Sequence, residues 1–179
     1  KIIPADVAVM GDAKESLDVF DITVEGTRRV LEFAGKCKVK KLLLCSSGAV
    51  YGRQSMKIAR ISEDYDAAPD PVDWRAAYAE GKRAAELLTV LKAREYGFEA
   101  KIPRCFAFVG PYQKLDGQWA IGNFIRDGLH GGPVIVKGDG TAIRSYMYAA
   151  DLMIFLWTIF FKGESCTPYN VGSAKGINI

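Results

Sequence analysis

The chain has 179 residues, of which 49% are hydrophobic and 25% charged, which is enough apolar material for a packed core and too much for a disordered segment. Its 24 Lys and Arg against 21 Asp and Glu leave a net charge of +3 with the signs interspersed, so no basic block marks a nucleic-acid footprint. The longest apolar stretch, Met153 to Phe161, is interrupted by Thr158 and falls well short of the roughly 20 residues that span a membrane.

The opening Lys1-Ile2-Ile3-Pro4-Ala5-Asp6 contains neither an initiator Met nor an apolar signal core, the pattern of a trimmed or excerpted chain. From Ser16 to Gly35 the apolar residues Leu17, Phe20, Val24, Val30, Leu31 and Ala34 recur at helical spacing. Leu42-Leu43-Leu44-Cys45 reads as a short buried strand that ends at Ser46-Ser47-Gly48, and a polar loop runs on through Pro69 and Pro71. Ala76 to Glu95 is a strong helix with Gly97 as its cap, and Glu99 to Phe108 reads as a further strand containing Pro103, which lacks a backbone donor. After Gly110-Pro111 come a helix at Ile121 to Leu129 and short strands at Val134 to Val136 and Ser145 to Tyr148, flanking the turn Gly138-Asp139-Gly140 as a hairpin. His130-Gly131-Gly132 reads as a helix C-terminal cap. Asp151 is placed to N-cap an apolar helix through Phe161, whose stripe Ile154, Phe155, Trp157, Ile159 and Phe160 reads as core, and Tyr169-Asn170-Val171 is the last strand. Helices alternating with apolar strands make the class α/β with a parallel sheet.

Cys37, Cys45, Cys105 and Cys166 are far apart and form no CxxC, so they read as reduced core thiols of a cytoplasmic protein rather than a disulfide frame. His130 is the only histidine, which leaves no basis for a metal site. Tyr78 and Lys82 stand four apart on the strongest helix and so share a face. An ammonium beside a phenol favours the phenolate, which makes a tyrosine a general acid/base for an alcohol hydroxyl. Ser47, at the end of the preceding strand, is within range to hold the reacting oxygen.

The run Cys45-Ser46-Ser47-Gly48-Ala49-Val50-Tyr51-Gly52 followed by Tyr78-Ala79-Glu80-Gly81-Lys82 resembles the extended short-chain dehydrogenase/reductase family, above all its nucleotide-sugar epimerases, dehydratases and decarboxylases. Val24-Glu25-Gly26-Thr27, Arg104-Cys105-Phe106, Gly110-Pro111, Asn123-Phe124, Gly138-Asp139-Gly140-Thr141 with Arg144, Asp151-Leu152 and Tyr169-Asn170-Val171-Gly172 carry the resemblance on from about residue 20 to residue 173. It implies a Rossmann-like doubly wound parallel sheet with part of a small substrate-binding domain, divided as residues 1–111 and 112–179. It also implies roles. Tyr78 would be the base, Lys82 would orient the nicotinamide ribose, Ser47 would bind the sugar hydroxyl, Phe106 would lie against the cofactor, and Asn123 and Arg144 would hold the substrate diphosphate. The cofactor would be NAD, with NADP left open, and the substrate a nucleotide-diphosphate sugar oxidised at C4 to a 4-keto intermediate.

The fate of that intermediate depends on further groups. Related dehydratases carry an Asp-Glu pair just after the Ser/Thr, and related decarboxylases place a Glu in the same turn. Here Gly48 and Ala49 stand there, which favours an epimerase, while Tyr78-Ala79-Glu80-Gly81-Lys82-Arg83 looks most like the decarboxylase relatives. Ala107 follows Phe106 where relatives often have Asn. Tyr51 fits a substrate contact and plain packing equally well. No G-x-G-x-x-G or G-x-x-G-x-x-G precedes Ser47, so the first half of the dinucleotide fold is expected to be missing and the chain to be an internal stretch of a longer protein, its sheet incomplete. An uncovered sheet edge would invite homodimerisation, and a truncated, non-catalytic fragment is the alternative to an enzyme.

Overall fold

The computed structural model describes residues 12–53, 58, 60–117, 119–136, 138 and 143–178. Helix α1 (Ala13–Lys36) begins at Asp12, whose carboxylate accepts from the Glu15 amide at 2.8 Å and so satisfies one of the open donors of the first turn. This cap starts the helix three residues before the apolar periodicity does. Helix α2 (Ala77–Tyr96) ends at Gly97, whose φ of 74° is the left-handed conformation that glycine adopts without strain. The two helices pack against each other. Their approach is close because Gly81 faces Thr23, where a Cβ would stand 3.3 Å from the Thr23 side chain.

Strands β1 (Lys41–Leu43) and β2 (Ser46–Ser47) both pair in parallel with β3 (Glu99–Cys105), in one unbroken register: Lys41 opposite Glu99, Ser46 opposite Arg104. They are one strand line with a gap at Leu44 and Cys45. Glu99 N donates to Lys40 O and Leu44 N donates to Lys101 O, both at 2.9 Å, so the odd-numbered residues of β3 face this line. The next donor in that series belongs to Pro103, which has no N–H, and the ladder lapses there. On its other edge β3 pairs in parallel with a later strand over Lys101–Thr167 to Cys105–Val171. Beyond β3 lie β4 (Ala107–Val109), α3 (Ala120–Leu129), β5 (Ile143–Arg144), β6 (Tyr146–Tyr148), α4 (Ala149–Lys162), β7 (Thr167–Val171), which is that later strand, and β8 (Ile177–Asn178).

The chain divides into two compact units. The first comprises the residues up to Cys105 together with Leu156–Val171, and holds the parallel sheet, α1 and α2. Its core joins Leu31, Ala93, Phe98 and Ala100, with Val39, Leu42, Leu88 and Cys166 packed on them. Lys101 is buried at 1% exposure, its Nζ donating at 2.6 Å both to Glu99 Oε2 and to the Gly163 carbonyl. The second unit, Phe106–Phe155 with Gly172–Ile179, contains two small ladders, β4 with β6 in parallel and β5 with β8 antiparallel.

Several expectations change. Val134–Val136 forms no strand, and no hairpin flanks Gly138 among the described residues: β6 pairs with β4 and β5 with β8, a ladder that the sequence pattern did not signal. Asp139, Gly140 and Thr141 lie outside the described residues. Asp151 falls inside the first turn of α4 rather than at its cap, where a carboxylate still faces the positive end of the helix. The aromatic stripe of α4 is largely open, with Ile154 at 63% and Trp157 at 54% exposure, while Ile159 is buried. Cys37 and Cys45 are exposed, and Cys105 and Cys166 half-buried, so the thiols do not form a core set. His130 does close α3, its Nδ1–H donating to the Arg126 carbonyl at 2.7 Å.

One polar network ties the carboxyl ends of the strands to α2. Arg104, at the end of β3, makes a two-pronged pair with Glu86 of α2 at 2.9 and 2.7 Å, and both side chains are largely buried. Ser46 donates to the same carboxylate. The Arg104 guanidinium also donates to the Tyr51 hydroxyl at 2.8 Å, and that hydroxyl donates to Asn170 Oδ1 at 2.8 Å. Asn170 in turn donates from its side-chain amide to the Ile61 carbonyl and from its backbone N–H to the Glu63 carboxylate, fastening the loop across the strand ends. Burial works against the Arg104 charge, but its hydrogen bonds to Glu86 and Tyr51 prevail and raise its pKa above the usual guanidinium value.

Two substitutions test this packing by equilibrium denaturation. Leu31→Ala, at a position 1% exposed, is expected to cost about 2–5 kcal/mol; a loss under about 1 kcal/mol would mean that Leu31 is not core. Glu86→Ala, which strands the Arg104 charge, is expected to cost about 3–5 kcal/mol, and adding Arg104→Met should recover much of that loss. A double variant no better than Glu86→Ala would show that the network matters through its contacts rather than through charge pairing.

Candidate functional site

Ser47 closes β2 and N-caps a single 3-10 turn, Gly48–Tyr51, its Oγ accepting from the Ala49 amide at 3.2 Å. That bond occupies one lone pair and leaves the hydroxyl proton available to another acceptor. The turn ends at Gly52, whose φ of 65° and closeness to the Ala68 and Pro69 backbone exclude a side chain there. Helix α2 packs on this turn and on β2. Arg83 adds a bond from its guanidinium to the Val50 carbonyl at 3.2 Å.

Tyr78 lies in the first turn of α2, 6% exposed, in an apolar cluster with Val19 of α1 and Ala49 of the turn. Lys82, one turn further on, places Nζ 5.8 Å from the centre of the Tyr78 ring and donates to the Cys45 carbonyl at 2.9 Å. Burial lowers the Lys82 pKa, while the nearby Cys45, Cys105 and Glu86 oppose the shift. Ser47, Tyr78 and Lys82 thus belong to one neighbourhood, built from a strand end, the turn after it and the first two turns of α2. A cation near a phenol, beside a hydroxyl donor, is a group of residues able to take a proton from an alcohol and return it.

The other expected site residues belong to the second unit. Asn123 is half-buried in the first turn of α3, its N–H bonded to the Trp119 carbonyl. Arg144 is exposed in β5, with Nη1 on the Ile143 carbonyl at 2.9 Å. Phe106 is half-buried between β3 and β4 and packs near Gly172, where a Cβ would stand 3.2 Å from that of Phe106. Tyr51 is 2% exposed, tilted against Tyr65, and its hydroxyl serves the Arg104 network.

Sequence reading passed over two features. The Arg104–Glu86–Tyr51–Asn170 network uses residues of the recurring motifs, yet nothing in a linear pattern pairs Glu86 with Arg104. Cys45 and Cys105 also fall on one face of adjacent strands, and hydrogen bonding from Cys105 is the largest cause lowering the Cys45 thiol to about 7. Period-two alternation on adjacent strands was the available signal, since Cys45, Ser47 and Cys105 fall on one face once the register is known. Among the described residues no group of three metal-ligating side chains occurs, and no helix is long and apolar enough to cross a membrane.

Comparison with known proteins identifies the family. The family model described as the NAD dependent epimerase/dehydratase family matches residues 4–172. Among curated relatives, UDP-glucuronic acid decarboxylase 6 of Arabidopsis thaliana is 33% identical over 150 residues, covering 84% of this chain and 43% of the relative. Among solved structures, the dTDP-glucose 4,6-dehydratase of Bacillus anthracis in complex with NAD aligns with a TM-score of 0.78 at 26% identity, over 91% of this chain and 50% of that one. The UDP-glucuronic acid 4-epimerase of Bacillus cereus in complex with NAD aligns at 0.73 and 25% identity, over 87% of this chain and 48% of that one. The UDP-N-acetylglucosamine 4-epimerase of Methanobrevibacter ruminantium reaches 0.83 at 23% identity, covering 98% and 55%, a likeness of fold. The chain therefore spans about half the length of the proteins it matches. With the family's model extending over nearly all of the sequence and a parallel α/β fold beneath it, this chain belongs to the NAD-dependent epimerase/dehydratase family of enzymes.

Proposed function

We propose that this chain carries the proton-handling part of an NAD-dependent nucleotide-sugar epimerase that works through a 4-keto sugar. The observation that carries the reading is the grouping of Tyr78 and Lys82 on α2 against the turn that Ser47 begins. In this reading Tyr78 takes the proton of the sugar hydroxyl at its phenolate oxygen and later returns it. Lys82 favours that phenolate electrostatically, and Ser47 donates its hydroxyl proton to the reacting sugar oxygen.

The donor set suits the nicotinamide-ribose end of NAD. The Lys82 ammonium has three N–H donors, of which the Cys45 carbonyl takes one, leaving donors for ribose hydroxyls. When bound, NAD supplies the hydride acceptor for the alcohol carbon. Phe106 gives an apolar surface for the cofactor ring, and Asn123 and Arg144 are the groups assigned to the sugar-linked diphosphate, which a guanidinium matches geometrically.

Gly48 and Ala49 support epimerisation over elimination or decarboxylation, since neither side chain can move a proton and Ala49 presents only a methyl group to Tyr78. A second reading, UDP-glucuronate decarboxylation, is favoured by the 33% identity to the Arabidopsis decarboxylases. Product analysis separates the two. With UDP-glucuronate an epimerase gives an isomer of unchanged mass, whereas a decarboxylase releases carbon dioxide; loss of water from dTDP-glucose would indicate a dehydratase. In the same assay Tyr78→Phe is expected to abolish turnover while leaving nucleotide-sugar binding, measured by calorimetry, largely intact. Turnover at the wild-type level in that variant would remove Tyr78 from the role of base.

A further inference from the structure

We propose that Cys45 and Cys105 form a reversible oxidation site, a dithiol that a peroxide converts to a disulfide between neighbouring strands beside Lys82. The β1–β2 strand line and β3 run in parallel, with Ser47 opposite Cys105, so Cys45 and Cys105 project from the same face of adjacent strands two residues apart along the ladder. Cys45 falls in the gap opposite Pro103, where the ladder lapses, and its own carbonyl faces away from β3 and is held by Lys82. Cys45 is an exposed residue whose thiol is nonetheless partly desolvated, and Cys105 is half-buried.

The surroundings favour the reactive form. Lys82 places its ammonium on the Cys45 carbonyl at 2.9 Å. The Cys45 thiol is lowered to about 7, first by the hydrogen bond from Cys105 and also by the Lys82 charge, against the opposing effect of burial. Thiolates in such electropositive, accessible positions are the ones that peroxides attack.

The chemistry balances with a hydroperoxide as oxidant. The Cys45 thiolate attacks one peroxide oxygen; an S–O bond forms, the O–O bond breaks, and the departing oxygen takes a proton and leaves as water. Cys105 then attacks the Cys45 sulfur, the S–S bond forms, the S–O bond breaks, and a second water leaves. Two thiols are oxidised by two electrons and one hydrogen peroxide is reduced to two waters. A small dithiol reductant reverses the change by thiol–disulfide exchange. Closing the bond removes the thiolate that supports the positive charge on Lys82. Any loss of turnover that follows rests on the proposed role of Lys82, whereas the oxidation itself does not.

The experiment uses the purified protein, treated with hydrogen peroxide in slight excess, digested without reduction and read by mass spectrometry. A Cys45–Cys105 linked peptide lighter by two hydrogens is expected, restored to two thiols by dithiothreitol. In Cys105→Ala, a sulfenic acid trapped by dimedone at Cys45 is expected instead. Before oxidation, iodoacetamide at neutral pH should alkylate Cys45 several-fold faster than Cys37, which is exposed at the end of α1. No linked peptide, or Cys45 reacting no faster than Cys37, would overturn the proposal. Both readouts come from the wild-type protein and stand whether or not Cys105→Ala folds, and neither depends on turnover.

Discussion

The Arg104–Glu86 ion pair is the constraint on which the site depends. It joins the carboxyl end of β3 to the middle of α2, and α2 is the helix that carries Tyr78 and Lys82. Charges this deep are stable only when their hydrogen bonds are completed, and here they are: Glu86 receives Ser46 and both prongs of Arg104, while Arg104 spends a further donor on Tyr51. Through Tyr51 and Asn170 the same network reaches the end of β7 and the loop at Ile61 and Glu63. The ends of three strand lines and the end of the 3-10 turn are thereby fixed relative to α2. Ser47, one residue past Ser46, inherits its place from this arrangement.

The strand line leading to Ser47 shows how a local defect is used. Pro103 cannot donate to the neighbouring strand, and pairing lapses at Leu44 and Cys45 before resuming at Ser46. The carbonyl of Cys45, on the side away from β3, is then taken by Lys82. A lysine that serves a phenol must be held near it against the freedom of four rotatable bonds, and a backbone carbonyl in a sheet is a rigid partner. The Cys45 thiol is near enough to that ammonium for its charge to help lower the thiol pKa.

Much of this was legible in the chain. Helical spacing from Leu17 to Ala34, the Ala-, Leu- and Glu-rich run that ends at Gly97, and the apolar strands before Ser47 and after Phe98 all correspond to elements of the structure, within a few residues at each end. Tyr78 and Lys82 shared a face because four residues span about one helical turn. What escaped depended on the third dimension. No linear pattern sets Glu86 apart from the other carboxylates of α2; its pairing appears only once β3 brings Arg104 to it. Lys101 sits in a strand where a lysine argues for exposure, yet it is buried because Glu99 and the Gly163 carbonyl complete its hydrogen bonds. Val134 to Val136 has the composition of a strand but pairs with none among the described residues, and β8 has a partner but too short a pattern to be noticed. The α4 stripe misled for a related reason: apolar character promotes burial only where another surface covers it, and Ile154 and Trp157 remain open.

The proposed service of Tyr78, Lys82 and Ser47 to a bound nicotinamide cofactor is tested most directly by cofactor content. Purified protein would be denatured and the supernatant assayed for NAD(H) by absorbance and mass spectrometry, with a second sample first incubated in excess NAD and desalted. Cofactor near one equivalent in either sample is the predicted result. No cofactor in both, from protein shown to be folded by circular dichroism, would contradict the account and leave the Tyr–Lys pair without a redox partner to serve.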